Sequence, residues 1–263
     1  MNRTISPSEA PVLERLEFDR PELVTMSDLT ALLGLFGIGT PPRVFAARLR
    51  AKGWLLPTEQ RGVWEFAPAA LAGPYSSAEP TLPLQAFLAK WPGAPCGLTF
   101  QAAAWAHGCA DRSPTRPEVA VANADTARKL PPSLDASTFT PGLPPLPLQG
   151  VPVLAPESVL THMCAKPVAV RSWASAIEWL GELAAEATVA DVEAELAGRP
   201  RTVAMRMGYL LQSLRPDIAD SIARSSPPTG KTWFGPPGPR LRYDHRWQVS
   251  DTHLPFDPRG LTE

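Results

Sequence analysis

The spacing of hydrophobic residues between Ser27 and Phe66 predicts two helices followed by a β-hairpin. Leucines recur at i, i+3 and i+4 in the first segment, and several glycines then interrupt the pattern. In the second segment Phe45 and Leu49 lie four residues apart, which places both on one helical face. Gly53 is positioned to end that helix. The two predicted strands that follow are residues 54–56 and 63–66.

The same segment contains two candidate helix caps. Ser27 is followed by Asp28, whose negative charge favours the positive end of a helix dipole. Thr40 precedes two prolines, which suit a first helical turn because proline has no N–H to leave unpaired. We therefore expect Ser27 and Thr40 to cap the two helices. The order helix, turn, helix and hairpin predicts a winged helix-turn-helix, in which the second helix lies in the major groove of DNA.

Positive charge is concentrated on the second of these helices and on the hairpin loop. Residues 40–62 contain five basic residues and a single acidic residue, Glu59. Helical spacing places Arg43, Ala47 and Arg50 on one outward stripe. The predicted DNA-binding residues are Thr40, Arg43, Ala47, Arg48, Arg50, Lys52 and Arg61. The alternative is an ordinary solvated basic face on a small helical domain.

The predicted roles within this set differ. Arg43 and Arg50 are expected to reach into the groove, with Thr40 and Ala47 beside the base edges. The other three cations are expected to contact phosphates, which position a protein on DNA without reading its sequence. These are Arg48, Lys52 and Arg61.

The remainder of the chain predicts a larger mixed domain. A stretch rich in Gly, Pro and Ser from Ala72 to Pro83 reads as a linker, so we expect a winged helix-turn-helix domain at 1–75 and a C-terminal domain at 76–263. Helical patterns and short β-like runs alternate in the second part, which predicts an α+β fold. Residues 198–215 carry four arginines and no acid. Three of them form a predicted second basic patch, Arg199, Arg201 and Arg206, with scattered surface arginines as the alternative.

The chain lacks the motifs of metal, nucleotide or covalent chemistry. Its three cysteines are widely spaced, and its four histidines have no metal-ligand spacing. No phosphate-binding glycine loop and no nucleophile elbow occur. We therefore expect no metal, no cofactor and no enzymatic activity, with a nuclease in the second domain as the enzymatic alternative. The absence of long apolar runs and of a secretory signal predicts a cytoplasmic protein without a membrane partner.

Five sequence stretches in order give the chain a family resemblance. The N-terminal SDLTALLG and ARLRAKGWLLPTEQRGVWEFAP are followed by FQAAAWAHG, by EVAVA with RKLP, by VPVLAPESVLTHM and by VAMRMGYLLQSL. In this order they resemble AbiEi-type antitoxins, the transcriptional regulators of abortive-infection (type IV) toxin–antitoxin pairs. The chain is most similar to the longer actinobacterial branch of that family.

The resemblance implies two activities for the chain. The winged helix would bind inverted repeats of double-stranded DNA in its own promoter and repress it. The C-terminal domain would counteract a cognate nucleotidyltransferase-like toxin, with direct contact to the toxin left open. The alternative is a protein-interaction module that neutralises the toxin by direct binding, with DNA binding secondary.

Overall fold

A computed structural model describes residues 3–70, 76 and 79–261 of the chain. The chain divides into two compact units. Unit 1 comprises Met1–Ala94 and Leu130–Leu134, and unit 2 comprises Pro95–Lys129 and Asp135–Glu263. The described residues contain eleven α-helices and three β-sheets, which confirms the predicted α+β class.

Unit 1 consists of helices packed on a three-stranded antiparallel sheet of strand order β1-β3-β2. Its elements are α1 (Ala10–Asp19), β1 (Leu23–Thr25), α2 (Met26–Leu35), α3 (Pro42–Ala51), β2 (Leu55–Pro57), β3 (Val63–Phe66) and α4 (Leu82–Lys90). The helix, turn, helix and hairpin order of the sequence pattern is therefore present, with α2, α3 and the β2–β3 hairpin.

One apolar core joins the elements of unit 1. Phe45 and Leu49 of α3 are fully buried, and the same core contains Leu29 and Leu33 of α2. Trp54, at the start of the hairpin, is also buried in it. Because α3 commits one face to this core, its opposite face is left to solvent.

The two predicted helix caps are wrong. The cap of α2 is Thr25, whose hydroxyl accepts the N–H of Asp28 at 3.2 Å, while the Asp28 carboxylate accepts the N–H of Thr25 at 2.8 Å. This capping box displaces Ser27 because Thr25 is the last extended residue of β1. At α3 the N-cap position belongs to Pro41, and no side chain caps the helix. Thr40 therefore does not cap α3, whose amide of Val44 bonds instead to the carbonyl of Pro41.

Unit 1 extends past residue 75, the predicted end of the first domain. Helix α4 contacts β1 and β3, and the compact unit continues to Ala94. The predicted linker from Ala72 to Pro83 lies partly outside the described residues, and α4 already begins at Leu82.

Unit 2 contains a mixed five-stranded sheet of order β6-β5-β4-β8-β7, a three-stranded sheet of order β10-β11-β9, and helices. Its strands are β4 (Cys96–Leu98), β5 (Glu118–Val121), β6 (Asp135–Thr138), β7 (Leu146–Leu148), β8 (Val151–Val153), β9 (Thr232–Phe234), β10 (Arg242–Asp244) and β11 (Val249–Asp251). Its helices are α5 (Phe100–Ala106), α6 (Ala124–Lys129), α7 (Pro156–Ala165), α8 (Trp173–Glu186), α9 (Val189–Leu196), α10 (Arg201–Leu211) and α11 (Pro216–Ser225).

Helix α7 is the centre of unit 2. Every residue from Pro156 to Cys164 is buried, and α7 packs against α5, α8, α9 and α10. Its polar side chains are hydrogen-bonded within unit 2, as Ser158 is to Glu195 and His162 to Thr99, and this pairing is what allows them to be buried. In the described ranges no helix combines the length and apolarity needed to cross a membrane. No group of three or more potential metal ligands occurs in those ranges either.

Candidate functional site

The exposed face of α3 carries the predicted groove-facing residues. Arg43, Ala47 and Arg50 are exposed, whereas Phe45 and Leu49 on the other side of the helix are fully buried. The buried pair fixes the orientation of α3 in unit 1, so the exposed stripe has a defined direction. The helical spacing of the sequence accounts for this division.

A cleft of about 580 Å³ lies between α3 and the β2–β3 hairpin. Arg43, Ala47 and Arg50 form its helix side, and Arg61 contributes from the hairpin loop. Lys90, the last residue of α4, also lines the cleft. The residues that line it include four cations and no aspartate or glutamate. The cleft therefore attracts anions, because several like charges act together on one concave surface.

The guanidinium groups on this surface are not used by the fold. Within the described residues, no hydrogen bond or ion pair involves the side chains of Arg43, Arg48, Arg50 or Arg61. All four residues are exposed. The only acid of the segment, Glu59, accepts a hydrogen bond from the hydroxyl of Ser133 at 3.1 Å and does not line the cleft. The positive charge thus remains available to an external ligand.

Lys52 has a different position from the one predicted. Its ammonium donates to the carboxylate of Glu9, a residue that is 1% exposed, at 2.5 Å. Burial by itself raises the pKa of Glu9, but the hydrogen bonds from Lys52 and from the N–H of Ser6 outweigh it and lower that pKa below its usual value. Lys52 therefore holds α1 to the end of α3, and we do not include it in the candidate surface.

Two further predicted residues lie away from the cleft. Arg48 is exposed but does not line the cleft, so its side chain serves a neighbouring surface of α3. Thr40 is half-buried in the turn before α3 and does not line the cleft either. The structure thus brings together Arg43, Ala47, Arg50 and Arg61, and adds Lys90, which the sequence pattern did not indicate.

Two of the three arginines of the predicted second basic patch are bonded to other groups within unit 2. Arg199 is paired with the buried carboxylate of Glu195 and lies over the ring of Phe139 at 4.5 Å. The guanidinium of Arg206 donates to the carbonyls of Trp233 at 2.6 Å and Cys164 at 3.2 Å. Only Arg201 is exposed, with one long contact of 3.5 Å to Thr229. A free patch of three arginines is therefore not present, because Arg199 is bound to a carboxylate and Arg206 to two carbonyls within unit 2.

The most unusual polar group of unit 2 is a buried histidine. His162 bonds through Nδ1 to the hydroxyl of Thr99 and through Nε2 to the hydroxyl of Ser137, both at 2.9 Å. Its ring stacks on Phe139 with centroids 4.2 Å apart. Burial lowers the pKa of His162 to about 3. The imidazole is consequently neutral and poorly suited to accept a proton, so we assign it a structural role.

Comparisons with known proteins add family information to this geometry. A family model described as the AbiEi antitoxin C-terminal domain matches residues 94–213. A search of the curated proteins finds no match. The crystal structure of the RV2827C protein from Mycobacterium tuberculosis is similar to this chain with a TM-score of 0.78 and 27% sequence identity. That similarity covers 96% of this chain and 94% of the other.

The family match coincides with the start of unit 2. Unit 2 begins at Pro95, and the match runs from residue 94 through α10. The family is regulatory rather than enzymatic in kind, and the match supports an antitoxin role for the chain. Residues 94–213 therefore match the AbiEi antitoxin C-terminal domain, which confirms the resemblance of the chain to AbiEi-type antitoxins.

Proposed function

We propose that this antitoxin is also a DNA-binding autorepressor, and that unit 1 is a winged helix-turn-helix. The observation that carries the proposal is the acid-free cleft between α3 and the hairpin, with four cations on its walls. Duplex DNA presents a dense array of phosphates, and unpaired cations on the exposed face of a helix complement it. The DNA would be the inverted repeats of the protein's own promoter.

Different residues would read and position the DNA. Arg43 and Arg50 extend from the exposed face of α3 and would contact bases in the major groove, with Ala47 between them. Arg48 and Arg61 would contact phosphates on either side. Thr40 precedes the helix and stays a candidate neighbour of the base edges. We leave Lys52 out of this proposed set because its ammonium is engaged in a partly buried ion pair with Glu9.

The antitoxin activity would reside in unit 2, which contains the family domain. The proposed target is a cognate nucleotidyltransferase-like toxin, counteracted in the cytoplasm without catalysis by this chain. We assign the two activities to different units because the surfaces of the units differ. Unit 1 has unpaired cations on α3, whereas two of the three arginines of the predicted second basic patch in unit 2 are bonded within the fold.

Substitution of the two groove-facing arginines tests the proposal. In cells that carry a reporter under the protein's own promoter, the double variant Arg43→Ala/Arg50→Ala is expected to lose repression. Each arginine–base contact is worth about 1–3 kcal/mol, so the loss of two reduces operator affinity by at least about thirtyfold. Both side chains are exposed, so the thermal stability of the variant should equal that of the wild type.

The matched control is Arg224→Ala, which removes an exposed arginine of α11 in unit 2. This control should repress like the wild type. Full repression by the double variant, at equal protein level, would refute the assignment of α3 as the reading helix.

A second candidate function is direct binding of the toxin. The observation that favours it is the exposed side of α8, where Glu178 and Glu182 line a cleft of about 400 Å³ together with Asp111 and one cation, Arg112, so that acids outnumber bases. Such a surface complements a basic protein rather than DNA. In this alternative the toxin would occupy unit 2, and promoter binding would be secondary.

A further inference from the structure

Lys90 belongs to the same compact unit as α3, although residues 67–89 separate it from the hairpin in the sequence. Helix α4 contacts β1 and β3 of the small sheet and ends at Lys90. Leu84 and Phe87 of α4 are fully buried, which fixes the helix in place. The exposed Lys90 is thereby held at a defined position on unit 1.

That position is the cleft between α3 and the hairpin. Lys90 lines it together with Arg43, Arg50 and Arg61. In the part of the chain that the structure describes, no carboxylate forms an ion pair with the ammonium of Lys90, whose Nζ lies over the ring of Trp91 at 5.8 Å from the centroid. A cation–π contact at that distance on an exposed site is weak. The charge of Lys90 is therefore directed to the cleft without a strong partner in the fold.

We propose that Lys90 is a further nucleic-acid contact and binds a backbone phosphate of duplex DNA in this cleft. The inference rests on the proposed function, since it assigns the cleft to DNA. A lysine ammonium is a compact charge on a flexible stem, which suits a phosphate better than the flat edge of a base. The DNA-binding surface then extends over α4, and the functional unit is residues 1–94 rather than 1–75.

The proposal makes Lys90 a contact that strengthens binding without selecting sequence. Phosphate contacts contribute equally to every duplex, because the phosphate groups are the same at each step. Each phosphate-bound cation also steepens the dependence of the binding constant on salt, by about 0.9 in the slope of log K against log salt. These two signatures distinguish Lys90 from Arg43, which would affect discrimination between sequences.

The test measures binding of the full-length protein to a labelled promoter duplex and to a scrambled duplex between about 50 and 200 mM salt. Lys90→Ala should bind both duplexes more weakly, lower the salt slope by about 0.9 and leave the ratio of the two affinities unchanged. Lys90→Arg, which keeps the charge, should restore the slope. Lys231→Ala, which removes an exposed lysine of unit 2, is the control and should behave like the wild type.

The outcomes separate this inference from the proposed function. If the wild type binds the promoter duplex and Lys90→Ala has the affinity and slope of Lys231→Ala, the role of Lys90 is overturned while the DNA-binding proposal stands. If the wild type binds neither duplex, both are overturned.

Discussion

At the scale of single residues, the packing of α10 requires a glycine at position 208. It lies in the middle of α10, against the indole of the fully buried Trp247, and a Cβ added at Gly208 would overlap the ring atoms. Helix propensity alone favours alanine over glycine by about 1 kcal/mol. At Gly208 the overlap dominates, because Trp247 is enclosed and cannot move aside without a cost.

We expect Gly208→Ala to lower the free energy of unfolding by about 1–3 kcal/mol, the usual cost of overpacking a core. Gly181→Ala in α8 is the matched control, since the nearest atom to its added Cβ is 4.0 Å away. This control should be neutral or stabilising by up to about 1 kcal/mol. Chemical denaturation of both variants measures the difference, and a stabilised Gly208→Ala would show that the packing of α10 on Trp247 is wrong.

Glu118 in β5 links the stability of unit 2 to pH. The residue is 4% exposed, and burial raises its pKa to about 7, although the N–H of Ala102 at 3.1 Å and the nearby Arg171 favour the ionised form. A carboxyl whose folded pKa is raised binds its proton more tightly in the folded state. Its contribution to stability is present below the unfolded pKa near 4.5 and is lost as the pH rises through 7.

The free energy of unfolding is therefore expected to fall between about pH 5 and pH 8 by an amount on the order of 3 kcal/mol from this residue. Glu118→Gln keeps an acceptor for Ala102 and removes the charge, so the variant should lose this part of the pH dependence. The difference between wild type and variant isolates Glu118 from other titrating groups. Parallel stability curves over this range would contradict the assignment.

At the scale of secondary-structure elements, the sequence predicts α3 and the hairpin, but it does not predict the residues that cap the helices. The four-residue spacing of Phe45 and Leu49 predicted the buried face of α3, and both residues are buried. Helix caps were less predictable, because the choice of Thr25 over Ser27 depends on where β1 pairs with β3. Local patterns determine faces, whereas the exact start of a helix depends on tertiary pairing.

For the charged residues too, local patterns determine which side chains are exposed, whereas tertiary packing determines their partners. The exposed arginines of α3 could be predicted, because they depend only on the helical face. The partners of Lys52 and Arg206 could not, since each is supplied by an element distant in the sequence, as with Glu9 for Lys52. Arg199 differs, because its partner Glu195 lies only four residues earlier. The sequence does not predict the position of Lys90, because only the packing of α4 on the sheet places this residue beside α3.

At the scale of the whole molecule, the chain combines two units with different surfaces. Unit 2 contains most of residues 94–213, which match the AbiEi antitoxin C-terminal domain, and its buried Glu195 and His162 bond within its own fold. Unit 1 keeps unpaired arginines on α3 and on the hairpin. The proposed account therefore places control of the promoter in unit 1 and antitoxin activity in unit 2.

The salt dependence of DNA binding tests the central claim most directly. The dissociation constant of the full-length protein for its promoter duplex is measured by fluorescence anisotropy from about 50 to 200 mM salt, beside a scrambled duplex. With Arg48, Arg61 and Lys90 on phosphates, the account predicts tighter binding to the promoter than to the scrambled duplex. It also predicts that the logarithm of the association constant falls with the logarithm of the salt concentration with a slope of about −2.7 or steeper for each bound chain. Equal affinity for both duplexes, or affinity that does not change with salt, would contradict it.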